Sequence, residues 1–424
     1  MASTQEFECL VLGEEPAGLW LLQKLDKVYR HNGETPYFGW LQFEPDRAAT
    51  PVPAQFAEHF GLDTGPHWHT HILSKRGALQ WSPDSFKERF PKLDLELLDA
   101  FPKNSHGRER EYKLARQALT HYPELLSYCT GLWKYFGRAY NMRPESIVLA
   151  GLRAHTLSWW QPKSQLPKSV APIDATVKNR NVQEIYFSKK GMISLQLEDQ
   201  TTLLTRKLVL NTSFLQLRAL TKRLPELLNC IDMDLPNVSR SALYPLRLEV
   251  NSPAVSRWAP PLNFFFDSIE LPNLDEEIWP FECSHTATSA TLTLWASWSR
   301  GISMEGLTAQ FLKGYERLNW LFPFLHSHLE KLSAPLSVHC LSQQARTALQ
   351  KGLEAHARSR FEVSRTHSTT RRPNVFFLSP SLHTQWLYPF GPMLEAQKLV
   401  SEIAGRKRVR TLKKPPVEAQ SAAR

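Results

Sequence analysis

Three residues near the start of the chain, Gly13, Glu15 and Gly18, have the spacing of a turn that holds a pyrophosphate. The apolar run at residues 9–12 predicts a short buried strand, and apolar residues continue at helical spacing from Ala17. A helix N-terminus offers unpaired N–H groups and partial positive charge, and glycines let the backbone approach an anion closely. The stretch therefore predicts a strand, a glycine turn and a helix, which is how a dinucleotide-binding unit begins.

The second glycine position of this turn is occupied by Glu15, although the pattern asks for Gly-x-Gly-x-x-Gly. At that position the backbone meets the pyrophosphate, so a side chain crowds the ligand and a carboxylate repels it. Two interpretations therefore stay open. One is a working nucleotide site, and the other is a retained scaffold whose site is empty.

A second strand is predicted over residues 37–43, and Glu44 stands directly after it. In the dinucleotide-binding fold, an acidic residue at this place accepts hydrogen bonds from the adenosine ribose. Glu44 is the candidate for that contact. The alternative is a surface carboxylate before Pro45.

Three histidines, His67, His69 and His71, alternate along the chain and would share one face of a strand. Imidazoles on one face could ligate zinc or iron. Same-face neighbours on a strand lie about 7 Å apart, which is too wide for all three to reach one ion. We therefore predict no metal site.

The blocks at residues 11–19 and 63–67 together resemble the flavoproteins with two dinucleotide-binding-type halves. These include amine oxidases, phytoene desaturases, protoporphyrinogen oxidases and UDP-galactopyranose mutase. The resemblance implies an α/β fold, with a discontinuous Rossmann-like FAD/NAD(P)-binding domain and an α+β substrate domain that has a mixed or antiparallel sheet. It also implies that Gly65, Pro66 and His67 face the flavin or substrate cavity, with His67 as the candidate catalytic side chain.

A third block, residues 374–403, has the strand, loop and closing helix of the family's last motif. Gly391 and Met393 would open that helix near the flavin. Ser379 and Pro380 stand where the family has Gly-Asp, and only Arg47 remains of the paired glycines and arginine that normally follow the second strand. The candidate cofactor-binding residues are Gly13, Glu15, Gly18, Glu44, Arg47, Gly65, Pro66, Gly391 and Met393.

The order of the motifs and the change from helical to strand patterns predict two domains. A chain of 424 residues is too long for one simple core. The predicted cofactor domain comprises residues 1–80, 170–235 and 366–405, the substrate domain comprises residues 81–169 and 236–365, and residues 406–424 form a basic disordered tail.

The net charge of +10 is concentrated at the end of the chain, where the last twenty residues hold seven basic side chains and one acidic one. Such a tail could contact nucleic acid or an anionic membrane, and a solvated end is the ordinary alternative, which we favour. Five scattered cysteines without a C-x-x-C pair favour a reducing cytoplasm. No apolar run is long enough to span a bilayer.

Two functional hypotheses follow. In the first, the chain is an FAD-dependent oxidoreductase acting on an unknown small molecule, for which the 13 Trp and 22 Phe residues favour an apolar substrate. In the second, it is a cofactor-free descendant of the same fold that serves as a binding or scaffold protein. A nucleic-acid function rests on the tail alone.

Overall fold

The fold is described from a computed structural model. It covers residues 4–13, 16–41, 50–62, 68–74, 77–81, 88, 90–92, 105–122, 125–136, 143–154, 157–160, 173–174, 182–212, 214–227, 229–230, 242–251, 262–266, 278–298, 303–355, 358–359, 370–379 and 390–405. Within these ranges, no helix combines the length and apolarity that crossing a membrane requires.

The first sheet has seven strands, and its central members are parallel. Its strands are β1 (Thr4–Gly13), β2 (Phe38–Leu41), β7 (Ile173–Asp174), β8 (Val182–Phe187), β9 (Ile193–Leu197), β10 (Thr202–Asn211) and β17 (Val375–Leu378). The spatial order is β7-β2-β1-β10-β9-β8. Strand β10 pairs with β9 through its first half and with β17 through its second half, so it carries two partners along one edge.

The central strand β1 is buried on both faces, which explains its unbroken apolar run. Cys9 and Val11 belong to one core cluster, whereas Leu10 and Leu12 belong to another. The first cluster includes helices α1 (Pro16–His31) and α9 (Phe390–Ile403), which pack against each other, and the second includes α6 (Phe214–Arg223). Helices on both faces are typical of a parallel sheet built from β-α-β units.

The second sheet has eight strands, in the order β15-β11-β14-β13-β12-β4-β5, with β16 paired to β11. Its strands are β4 (Trp68–Ser74), β5 (Gly77–Trp81), β11 (Ala242–Asn251), β12 (Leu262–Phe266), β13 (Ile278–His285), β14 (Ser289–Trp298), β15 (Leu329–Leu332) and β16 (Arg358–Ser359). All pairings are antiparallel except β12 with β4. Helix α7 (Met304–Leu321) shares its core with this sheet.

The remaining elements are mainly helical. They are the strands β3 (Thr50–Pro53) and β6 (Leu157–Trp160), which form a two-stranded sheet, and the helices α2 (Ala54–Phe60), α3 (Ser105–His121), α4 (Leu125–Phe136), α5 (Pro144–Ala154) and α8 (Gln343–Ala355). Helix α4 reaches the second sheet through Tyr135, whose hydroxyl donates to Glu282. The Trp295 indole donates to the same carboxylate at 3.2 Å.

The second sheet bears on two sequence-based assignments. Strands β4 and β5 belong to the second sheet, whereas the motif order assigns residues up to 80 to the cofactor domain. The cause is the long-range parallel pairing of β4 with β12, which no local pattern reveals. The apolar pattern predicts a helix over residues 307–332 with a break near Pro323. The helix ends at Leu321, because Pro323 cannot continue it, and the residues after the break form β15, a strand that pairs with β11. The domain boundaries themselves stay a prediction.

Candidate functional site

Four parallel strands of the first sheet end along one line. In the strand register, Gly13 lies opposite Asn211, and Asn211 lies opposite Leu378. The neighbouring pair is Leu12 with Leu41. Ligands of open α/β sheets bind outside the carboxyl ends of the strands, where the strand order reverses. The strand order reverses at β1. The chain passes from β1 to β2 on one side and later returns to β10 on the other side.

Gly13 adopts a backbone conformation that requires glycine, with φ of 122°. A β-carbon on this residue would lie 1.9 Å from the backbone oxygen of Asn211. The Trp40 indole N–H donates to the Gly13 carbonyl at 2.5 Å and fixes the peptide after the strand. The end of β1 is therefore held against β10 with no space for a side chain.

Gly18, in the first turn of α1, closes the same point from the helix side. A β-carbon there would lie 2.3 Å from Asn211 Nδ2 and 2.8 Å from Val11 Cγ1. The start of α1 is thus pressed onto the ends of β1 and β10, with the buried Asn211 amide between them. This is the close helix–sheet packing that the third glycine of the dinucleotide motif permits.

Thr212, directly after β10, buries a hydroxyl that has no hydrogen-bond partner among the described residues. Its Cγ2 lies 3.2 Å from where a β-carbon of Gly13 would be, so it sits beside the glycine turn. Leaving a buried hydroxyl unpaired costs about 1–3 kcal/mol. A ligand oxygen or nitrogen at this edge would satisfy it.

The start of α9 is fully buried at Phe390 and Met393, and Gly391 is buried between them. Helix α9 packs on α1. Ser379, after β17, is buried and occupies the place where the resemblance expects an acidic anchor. The described end of β17 therefore carries no carboxylate.

The structure brings two of the predicted residues, Gly13 and Gly18, onto one point, Asn211. The other candidates after β1 and β2 and in the Gly-Pro-His block lie outside the described residues: Glu15, Glu44, Arg47, Gly65, Pro66 and His67. The basic tail, residues 406–424, also lies outside them. No group of three metal-ligating side chains occurs in the described part of the chain.

Trp40, Asn211 and Thr212 are site residues that sequence reasoning missed. Residues 207–212 have the pattern of a strand that ends near a nucleotide, which was the available signal for Asn211 and Thr212. Nothing in the sequence indicates that the Trp40 indole bonds a carbonyl 27 positions earlier.

The resemblance implies that FAD is held at the glycine turn. The described residues fit its pyrophosphate end at Thr212, which offers a buried hydroxyl without a partner among the described residues, beside the start of α1. The acidic contact at the end of β17 does not fit, because Ser379 stands there.

Comparison with known proteins gives a likeness of fold. Neither the protein-family models nor the curated proteins contain a match to this sequence. A structure of wild-type putrescine oxidase bound to putrescine is 12% identical, covers 94% of this chain and 99% of its own, and has a TM-score of 0.50. A double mutant of that oxidase has a TM-score of 0.47 at 12% identity, with 94% of this chain and 99% of its own covered. A tetracycline destructase has a TM-score of 0.40 at 10% identity, over 97% of this chain and 85% of its own.

At this identity the likeness to wild-type putrescine oxidase shows the fold alone. It confirms the predicted fold class, a mixed α/β architecture with a parallel-containing sheet and a second, largely antiparallel sheet.

Proposed function

We propose that the chain is an FAD-dependent oxidoreductase-type protein that holds its cofactor at the carboxyl edge of the first sheet. The observation that carries this proposal is the closure of Gly13 and Gly18 on Asn211, beside the buried Thr212 hydroxyl that has no partner in the described part of the chain. That closure brings the positive N-terminus of α1 to the sheet edge, where a pyrophosphate would be stabilised.

In the proposed complex, each residue has one task. Gly13 and Gly18 allow close backbone approach, and the Thr212 hydroxyl bonds a ligand atom. The flavin, when bound, supplies the hydride acceptor. Glu44 would accept hydrogen bonds from the ribose, and Arg47 would be a further cofactor contact after β2. Gly65, Pro66, Gly391 and Met393 would lie near the ring, as the resemblance implies.

His67 is the proposed proton-exchanging side chain, because an imidazole gains and loses a proton near neutral pH. The substrate is proposed to be a small molecule, and the aromatic content favours an apolar one. A cytoplasmic location is proposed from the cysteine pattern.

A second candidate function is a cofactor-free binding or scaffold protein of the same fold. Three sequence departures favour it. Glu15 stands at the second glycine, and Ser379 with Pro380 stands in place of the acidic anchor. The paired glycines after β2 are also missing, because residues 46–49 are Asp-Arg-Ala-Ala.

The colour of the purified full chain and its titration with FAD distinguish these two functions. A flavin absorbance band, or saturable quenching of flavin fluorescence on titration with FAD, supports the first function. A colourless protein that binds no added FAD supports the second. If Glu15→Gly then confers FAD binding, the carboxylate is the obstacle.

The Thr212 hydroxyl gives the sharper variant. Thr212→Val should weaken FAD binding by about 5- to 50-fold, the loss expected for one buried hydrogen bond, and should make the free protein at least as stable as before, because it removes a buried hydroxyl that has no partner among the described residues. The matched control is Thr205→Val on the same strand, because the Thr205 hydroxyl already donates to the Lys207 carbonyl at 2.8 Å. This control should lower stability and leave FAD affinity unchanged.

A further inference from the structure

A cavity of about 690 Å³ opens at the amino end of β17, at the opposite end of this strand from Ser379. It lies between the turn that joins β8 to β9, the middle of β10 and the loop before β17. Its polar lining consists chiefly of Lys189, Lys190, Arg206, Lys207, Arg372 and Asn374. We call it the basic cavity.

Five cationic residues line the basic cavity, and no carboxylate of the described residues does. Arg206 makes a loose ion pair with Glu8, at 3.8 Å, and its side chain is 62% exposed. No ion pair to a described carboxylate forms at Lys189, Lys190, Lys207 or Arg372. Cations that converge on one concave surface repel each other and concentrate anions there.

The loop that presents Arg372 is internally braced. The Thr370 hydroxyl donates to the carbonyls of Arg372 and Val375, at 3.0 and 2.8 Å. The Arg372 backbone N–H donates back to that hydroxyl at 3.2 Å. The Arg372 guanidinium lies 4.4 Å from the centre of the Phe187 ring, so its position is fixed by stacking as well as by the loop.

The opposite wall is tied to the same loop by Asn374. The Asn374 side-chain amide donates to the Gly191 carbonyl at 2.6 Å, and the Asn374 backbone carbonyl accepts from the Leu208 N–H at 2.9 Å. Gly191 has a φ of 83°, which gives the turn its shape. The lysine-bearing turn and the arginine-bearing loop are therefore held in one arrangement before any ligand arrives.

We propose that the basic cavity binds a small molecule that carries at least two linked phosphate groups, such as inorganic pyrophosphate or a nucleoside diphosphate. Lysine ammonium groups act as point charges for phosphate, and an arginine fork can bond two of its oxygens. Five cations exceed the charge of a single phosphate, which favours a multivalent anion. The volume is that of a small-ligand pocket.

This site is separate from the proposed FAD site. Lys207 precedes Asn211 by four residues on β10, a distance of about 13 Å at the rise of a strand. The two sites also lie at opposite ends of β17. The proposal therefore stands or falls independently of FAD binding.

Titration calorimetry of the full chain at low salt tests the proposal, with pyrophosphate and ADP as ligands and adenosine as the uncharged comparison. The test variant is Lys189→Gln with Lys190→Gln, at two exposed turn positions. The matched control is Lys331→Gln with Lys351→Gln, two exposed lysines elsewhere, which changes the net charge equally. Pyrophosphate and ADP should bind saturably, and adenosine should not.

In the test variant, the Kd for pyrophosphate should rise by about tenfold, because two charge contacts are lost, and in the control it should stay unchanged. FAD titration should be the same in both variants. Absence of saturable binding, or an equal loss in both variants, would overturn the proposal. So would pyrophosphate binding that Thr212→Val abolishes, which would assign it to the glycine turn. So would binding of a mixed-sequence oligonucleotide that is tighter than that of pyrophosphate and is weakened in the test variant but not in the control, which would assign the cavity to nucleic acid.

Discussion

Gly13 and Asn211 are opposite partners at the ends of two parallel strands, and the carbonyl of one occupies the space that a side chain on the other would need. The Asn211 side-chain amide fills the space above Gly18. One buried residue, through its backbone carbonyl and its side-chain amide, thus enforces glycine at both ends of the turn. The glycines are explained by packing even before a nucleotide is considered.

The contact with Asn211 makes Gly13 sensitive to the smallest substitution. Gly13→Ala should lower the free energy of unfolding by about 2–4 kcal/mol, because it adds a steric overlap to an unfavourable positive φ. Urea unfolding followed by circular dichroism measures the loss. The matched control is Gly33→Ala, whose φ is 74° in open space and whose cost should be about 1 kcal/mol. Equal losses would contradict the overlap.

The Gly18 contact can be tested by relieving it. Gly18→Ala should destabilise the protein, because its new methyl group meets Asn211 Nδ2. Adding Asn211→Ala removes that amide, so the double variant should be more stable than the two single losses predict, by about 0.5–3 kcal/mol of coupling. Strict additivity in the urea unfolding cycle would show that Gly18 does not depend on Asn211. The residual loss is expected from Val11.

Local patterns predicted the strands wherever the apolar period was regular. The apolar patterns of residues 182–187 and 262–266 predict strands, and the structure has strands with these bounds, Val182–Phe187 and Leu262–Phe266. The strand Ile278–His285 was not predicted, because Pro280 lies inside it and proline usually marks the edge of a sheet. Leu329–Leu332 was wrongly predicted as helix, because its two leucines have helical spacing while the pairing with β11 makes it a strand.

At the glycine turn, the sequence predicts only the two glycines. Gly13 and Gly18 carry a spacing that can be read from the chain. Trp40 and Asn211 reach the turn through contacts between distant segments, which spacing cannot reveal.

Helices α3 and α5 are joined by two ion pairs in contrasting surroundings. Arg153 and Glu111 pair with side chains only 3% and 4% exposed, whereas Arg116 and Glu145 pair at 3.2 Å with side chains 70% and 22% exposed. Arg153→Met should cost about 3–5 kcal/mol in urea unfolding, because it leaves a buried carboxylate alone. Arg116→Met, the control, should cost less than about 1 kcal/mol.

A double variant distinguishes a loss caused by the unpaired charge from a loss caused by packing. Adding Glu111→Leu to Arg153→Met removes the isolated charge and should recover most of the stability. If the double variant is as unstable as Arg153→Met alone, the loss comes from packing rather than from the unpaired charge.

The five cysteines differ sharply in their access to reagents. Cys340 is exposed, and the other four are buried. Burial raises the pKa of Cys283 to about 12 and raises the pKa values of Cys9, Cys129 and Cys230, so their reactive thiolates are scarce. Iodoacetamide should therefore label one cysteine in the native protein and all five in denaturant, as counted by mass. Cys340→Ser should abolish native labelling, and any remaining fast label would contradict the burial.

Glu145 provides a test of stability against pH. Its own backbone N–H, at the start of α5, and then Arg116 lower the pKa of this carboxyl below its usual range. A lowered folded-state pKa means that the carboxylate stabilises the fold above about pH 5, and that this contribution is lost as the pH falls through the lowered value. Wild type and Glu145→Gln should therefore differ in urea unfolding at neutral pH, and the difference should shrink on acidification.

The order of these two causes makes a further variant informative. Because the backbone contribution is the larger, Arg116→Gln should keep most of the acid dependence that Glu145 confers. If Arg116→Gln removes that dependence as completely as Glu145→Gln does, the ion pair rather than the helix start controls the carboxyl. The exposed position of Arg116 in the pair, screened by water and salt, is the physical reason to expect the smaller effect.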